Sequence, residues 1–225
     1  TGNNLSEVKS KSATCSFNNV YIGKNYNSLK IISDANQPLV INGDINIQSN
    51  SGLSNDSQQD IICRGDFYNS GYYYLSDVNK LSTFIFDGTN QYIYMFAANG
   101  YFNNLKISPS VSVTLGGDIH TAGDLIIESG ILDTQGNNII VEGDWTNNAG
   151  PDAFIESTGR VIFSGTNIQY CSDEVFNILE IDNAPGAVYI SGTYVICTAY
   201  DWTAGTIDVF NNGVFSANDL IDNGI

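Results

Sequence analysis

Asp124-Leu125-Ile126-Ile127-Glu128-Ser129-Gly130-Ile131-Leu132-Asp133 carries two short apolar stretches with only Glu128-Ser129-Gly130 between them. Leu and Ile in short runs are strand formers, and glycine accepts the positive φ that a sharp corner needs. The stretch therefore reads as strand, tight turn, strand, with no room for a hairpin-length loop. That favours a parallel β-solenoid, in which each coil adds two or three strands to stacked sheets. Strand signals elsewhere recur about every 8 to 12 residues, which a β-sandwich also satisfies. Tandem small β-sandwich domains are thus the alternative architecture.

Working outward, the chain repeats itself. Phe17-Asn18-Asn19-Val20-Tyr21-Ile22 returns as Phe102-Asn103-Asn104-Leu105-Lys106-Ile107 and again as Phe176-Asn177-Ile178-Leu179-Glu180-Ile181, at offsets of 85 and then 74. Leu39-Val40-Ile41-Asn42-Gly43-Asp44-Ile45 returns as Val113-Thr114-Leu115-Gly116-Gly117-Asp118-Ile119, at an offset of 74. Gly65-Asp66-Phe67 returns as Gly143-Asp144-Trp145 after 78, and Phe84-Ile85-Phe86-Asp87-Gly88-Thr89-Asn90 as Val161-Ile162-Phe163-Ser164-Gly165-Thr166-Asn167 after 77. Self-similarity at a fixed period is the signature of a repeat protein. The expectation is one elongated all-β repeat region over residues 1–225, excerpted from a longer protein, with repeats at about 15–67, 84–145 and 161–220. Three coils of about 25 residues to a repeat give about nine coils and a length near 43 Å at roughly 4.8 Å per strand step.

Composition agrees with strands and turns. Charged residues are 14% of the chain, glycines number 22, and 24 acidic against 8 basic residues leave a formal charge of -16. Such a surface repels a phosphate backbone, so nucleic acid is excluded as a partner. No apolar run reaches the roughly 18 residues of a membrane-spanning helix.

The F-N-N-[LV]-x-I string, the V-x-L-x-G-D-I string and Ser129-Gly130-Ile131-Leu132-Asp133-Thr134-Gln135-Gly136-Asn137-Asn138-Ile139-Ile140-Val141 resemble the Asn/Gly-rich β-solenoid repeats of large secreted surface proteins and adhesins of Bacteroidota-type bacteria. The resemblance covers most of residues 15 to 220, although the long first period and the cysteines depart from the usual pattern. It implies export, a cell-surface or extracellular location and a spacer or adhesive role, with flanking domains in a longer chain. It carries over no site residue.

Aromatic residues crowd between Phe67 and Phe102. Flat rings beside Asn and Asp are what a sugar-binding surface needs, so Tyr72, Tyr73, Tyr74, Tyr92 and Tyr94 are the glycan-binding candidates. An aromatic core would collect the same residues. Because side chains alternate along a strand, Tyr72-Tyr73-Tyr74 must present at least one ring outward. Arg64-Gly65-Asp66 matches an integrin-binding tripeptide, but its repeat partner Glu142-Gly143-Asp144 keeps only the Gly-Asp turn. Asp44, Asp66, Asp118 and Asp144 all follow glycine, where a carboxylate serves turn amides, and no calcium-loop spacing accompanies them.

No catalytic or cofactor motif is present: G-x-S-x-G, H-E-x-x-H and a phosphate loop are all absent. Asp173-Glu174 is expected in an exposed loop, and His120 on the surface at a strand end. Four cysteines lack metal spacing. Cys171 and Cys197 stand 26 apart in sequence, close to the length expected of one coil, so they are expected to stack and form a disulfide; Cys15 and Cys63, 48 apart, are the second expected pair. The functional expectation is a non-enzymatic structural or adhesive segment. A carbohydrate-binding module, or a β-helix polysaccharide-degrading enzyme, is the alternative.

Overall fold

The chain is an all-β parallel solenoid. The structure is a computed structural model and describes residues 5–10, 16–23, 28–33, 38–55, 59–75, 82–96, 100–209 and 213–221. Residues 124–147 show how one coil is made. Leu125–Ile127 lies on a first face, Glu128-Ser129-Gly130 turns the corner, and Ile131–Asp133 lies on a second face. Gln135 and Gly136, both with positive φ, turn the next corner into Ile139–Val141 on a third face. Glu142-Gly143-Asp144 then leads to Trp145–Asn147, back on the first face and paired with Leu125–Ile127.

Stacking this unit yields a ten-stranded first face and a seven-stranded second face, and all the described strand pairings are parallel. The third face is four-stranded in the N-terminal part and six-stranded in the C-terminal part. Single bridges from Gly100 to Tyr73 and from Phe102 to Thr121 join its two parts. The second face ends at Phe154–Ile155. From there each coil gives one short strand to the first face and one long strand, such as Glu174–Asp182 or Tyr194–Ala204, to the third.

Strand alternation puts the apolar residues inside. Ile45, Ile47, Phe67, Ile93, Leu105, Leu125, Leu132, Ile139 and Phe163 are all buried. The wide middle of the interior is filled by Phe67, Tyr73, Phe84, Phe86 and Phe102, whose rings meet edge to face or tilted at 4.9 to 6.3 Å. Those geometries suit the ring quadrupole. Tyr73 is therefore a core residue and not a ligand platform: it pairs in register with buried Leu53 and is 1% exposed.

The corners are held by a second device. At the corner before the second face, Asn19 Oδ1 accepts the Asp44 amide, Asp44 Oδ1 accepts the Asp66 amide and Asp66 Oδ1 accepts the Tyr92 amide, at 2.8 to 2.9 Å. At the corner before the first face, Asn104, Asp124 and Asp144 do the same for Asp124, Asp144 and Tyr170. Before the third face, Asp118 accepts the Asn138 amide and Asn138 that of Arg160. The aspartates that follow glycine thus serve the amide of the neighbouring coil, where local turn capping was expected. The glycines stack too: a Cβ on Gly65 would overlap Gly43, and one on Gly143 would overlap Gly123.

Each of the three corners uses this device over part of its height, so the repeated strings need not return to the same face. Thr83–Phe86 lies on the first face and its counterpart Arg160–Phe163 on the third; Leu105 lies on the first and Leu179 on the third. The true structural unit is one strand with its corner.

Coil length also departs from the expectation. In-register partners on the first face are separated in sequence by 22 at Leu39↔Ile61, by 26 at Trp145↔Cys171 and by 19 at Cys171↔Ile190. This overturns the cysteine pairing. Cys171 stacks on Ile190 on the first face, whereas Cys197 lies on the third face beside Phe176 and Ala217. Cys63, Cys171 and Cys197 are free and buried, and Cys15 lies outside the described residues. The described cysteines therefore give no sign of an oxidising compartment.

Burial raises all three thiols, Cys63 to about 12 and Cys197 to about 11, which keeps them protonated and unreactive. Iodoacetamide at mildly alkaline pH is expected to spare them in the folded chain and to modify all three after denaturation without reductant, as read by peptide mass. Recovery of Cys171 and Cys197 as one linked peptide would contradict this arrangement.

Candidate functional site

The outer side of the second face gathers what the sequence offered separately. Along successive coils, Tyr21 stands opposite Asn46, Asn46 opposite Tyr68, and Tyr68 opposite Tyr94. The inward neighbours Ile45, Phe67 and Ile93 are wholly buried, so strand alternation forces these side chains outward. Tyr92 projects from the same strand as Tyr94, two positions earlier, and its phenol occupies the space left by Gly116. Together Asn46, Gln48, Ser49, Tyr68, Ser70, Tyr92 and Tyr94 line an open groove of about 540 Å³.

The groove is held in shape by its own hydrogen bonds. Tyr68 donates its hydroxyl to Asp66 Oδ2 at 3.1 Å, while Asp66 Oδ1 accepts the Tyr92 amide. One corner aspartate thereby positions two rings, whose centroids are 5.7 Å apart at 40°. Burial, then Asp66, raises the Tyr68 phenol, so it stays a neutral donor. Beside Tyr92, buried Gln91 donates to the Cys63 and Gly65 carbonyls at 3.0 and 2.6 Å and accepts the Gly88 amide. Gln169 repeats the arrangement one corner round. These glutamines terminate the Asx ladders where tyrosine replaces the corner acid.

Of the glycan-binding candidates, Tyr92 and Tyr94 lie in the groove. Tyr72 is 41% exposed but on the third face, Tyr73 is in the core, and the Tyr74 side chain lies outside what the structure describes. Tyr21, Tyr68, Asn46 and Gln48 were missed. Period-two alternation on aligned strands would have found Tyr68, but its alignment with Asn46 and Tyr94 depends on coil lengths that composition does not give.

The remaining polar constellations are structural. In Arg64-Gly65-Asp66, the arginine pairs with Asp87 and donates to Asn42, the glycine is stacked on Gly43, and the aspartate holds Tyr68 and Tyr92. His120 has a partner in Glu142, 2.9 Å away on the next coil. Arg160 bridges Glu180 and the nearly inaccessible Asp201, so those two acids form an ion triad and not an open acid–base pair. Among the described residues, no group of three or more His, Cys, Asp or Glu is placed to hold a metal ion. None of the described helices is long and apolar enough to cross a membrane.

Glu174 corrects the expectation of an exposed acid. It opens the strand Glu174–Asp182 on an inward position and is buried, accepting Trp145 Nε1 at 3.0 Å, Asn147 Nδ2 at 2.8 Å and the Val175 amide at 3.0 Å. Asp173 accepts the Thr193 and Tyr194 amides of the next coil.

No family model, curated protein or solved structure matches the chain.

Burial pushes the Glu174 carboxyl up to about 7, against the three hydrogen bonds that favour its charged form. The folded state then binds this proton more tightly than the unfolded state. The contribution of Glu174 to stability is accordingly complete below the ordinary carboxyl value and is lost as pH rises through 7, about 3 kcal/mol in all. Urea unfolding across pH 4 to 8 is expected to show that fall in the native chain and to lose it in Glu174→Gln. Trp145 fluorescence should titrate over the same window. An identical pH profile for both proteins would contradict the assignment.

Proposed function

We propose that this chain is an extended, non-enzymatic structural or adhesive segment of an extracellular bacterial surface protein. One observation carries the reading. The ten strands of the first face form one unbroken parallel stack, and Asp44, Asp118, Asp124, Glu174 and Asp201 are engaged in holding the corners and the core of the solenoid. Such a stack transmits length: nine steps of about 4.8 Å carry the first face over about 43 Å.

The acidic charge of -16 supports solubility at an exposed surface and discourages nucleic-acid contacts. The resemblance to Asn/Gly-rich repeats of secreted adhesins supports the location. A polysaccharide-degrading activity would call for two carboxylates facing a sugar-sized cleft, roughly 5 to 9 Å apart and free to exchange protons. Glu180 and Asp201 stand in register on adjacent coils, and Arg160 bridges both.

Two measurements test this reading together. Antibodies against the folded segment are expected to label intact, unpermeabilised cells that produce it, and the purified chain is expected to release no reducing sugar from neutral or acidic polysaccharides. Labelling that appears only after permeabilisation, or sugar release that Glu180→Gln or Asp201→Asn abolishes, would contradict it.

A further inference from the structure

We infer that the groove on the second face binds a neutral, extended pyranose chain lying along the solenoid axis, across the strands. The inference rests on the adhesive reading above and names its ligand class. Three observations lead to it.

The first is the ring surface. Tyr68, Tyr92 and Tyr94 belong to two neighbouring coils and line the groove on the outside of a sheet whose other side is fully packed. The strands that carry them are about 4.8 Å apart and the Tyr68 and Tyr92 ring centroids 5.7 Å apart, which brackets the advance per sugar in an extended β-1,4-linked chain. Successive sugars could therefore each meet one coil. Asp66 fixes the Tyr68 ring through its hydroxyl, and the Tyr92 ring is packed against Tyr68 and over Gly116, so little order has to be imposed on these two rings on binding.

The second is an unmet acceptor. Gln48, on the groove wall, has an amide oxygen that is shielded from solvent and accepts no hydrogen bond from the described residues. A buried polar atom without a partner is costly unless something supplies one. A turn of the Gln48 amide toward the groove would bring this oxygen to a sugar hydroxyl or an acetamido N–H, each a donor of the right kind. Asn46, Ser49 and Ser70 offer further donors and acceptors along the same wall.

The third is charge. The lining holds neither lysine nor arginine, and the chain carries -16. A uronic acid or sulfated sugar would meet repulsion with no cation to offset it, whereas a neutral sugar would not. Aromatic faces, amides and hydroxyls without a cation are the chemistry that recognises neutral sugars.

Titration calorimetry on the intact chain tests this with cellohexaose and chitohexaose as neutral probes and hexagalacturonate as the acidic one. Binding of at least one neutral hexasaccharide and none of the acidic one is expected. Tyr92→Ala and Tyr94→Ala should each weaken it about tenfold with the cooperative unfolding transition retained, Gln48→Ala should weaken it less, and Tyr72→Ala, on another face, should bind like the native chain. Absence of binding to both neutral probes, preference for hexagalacturonate, or full affinity in Tyr92→Ala and Tyr94→Ala would overturn the inference. A chain that labels the cell surface yet ignores these sugars loses the groove but keeps the structural reading. One that binds them but is confined inside the cell loses only the surface role.

Discussion

Every coil of this solenoid has to answer one question: what accepts the backbone N–H at each corner, where strand pairing lapses and the chain changes direction? An unpaired amide on the packed side of a corner would cost about a kilocalorie or more per turn. Where the columns run, the answer is a carboxylate or carboxamide oxygen from the coil before, placed at the start of a strand and, where it is an aspartate, next to a glycine. Asn19, Asp44 and Asp66 form one such column, Asn104, Asp124 and Asp144 a second, Asp118 and Asn138 a third. Because the bonds run along the axis, they fix coil-to-coil register independently of how many residues each coil contains. Coils as different as those from Trp145 to Cys171 and from Cys171 to Ile190 then share one stack.

The columns also stack acidic groups on one another. Stacked acids repel, and burial together with Asp124 raises the Asp144 carboxyl although the Tyr170 amide pulls it down. Alternating asparagine with aspartate, as at Asn19 and Asn138, relieves part of that repulsion while keeping the acceptor. Where a tyrosine takes the corner position, at Tyr92 and Tyr170, a buried glutamine closes the column from inside. At the first of these endings the ring of Tyr92 is released to the outer surface beside Tyr68, and the groove is formed. Function, on this account, sits where the structural column stops.

Much of this was legible in the sequence. Short alternating strands, Gly-Asp corners and the stretch 124–133 specify a parallel solenoid because each is a local preference. Other features depend on which residues meet across coils, and local patterns do not report that. The long repeat is real as text, yet its copies fall on different faces, since any corner accepts the same Asx-glycine unit. The pairing of Cys171 with Cys197 failed for that reason: a coil of uniform length places them together, and the shorter coil that is present places Ile190 there instead. Tyr73 went inward and Glu174 was buried through the phase of single strands, which a one-residue shift reverses. Tyr92 and Tyr94 were recognised from ring density alone, whereas Tyr68 and Gln48 belong to the groove only through stacking.

The corner column makes the most direct claim, that the acceptor oxygen and not the charge of each Asx holds the coils together. Asp124 is the cleanest place to ask, since its Oδ1 takes the Asp144 amide at 2.9 Å and its column continues on both sides. Urea unfolding of Asp124→Asn and Asp124→Ala against the native chain is the decisive comparison. Asn keeps the oxygen and relieves repulsion, so it is expected within about 0.5 kcal/mol of native or above it, whereas Ala orphans the amide and is expected to lose about 1–2 kcal/mol. Equal losses for the two variants, or no loss for Ala, would contradict the account.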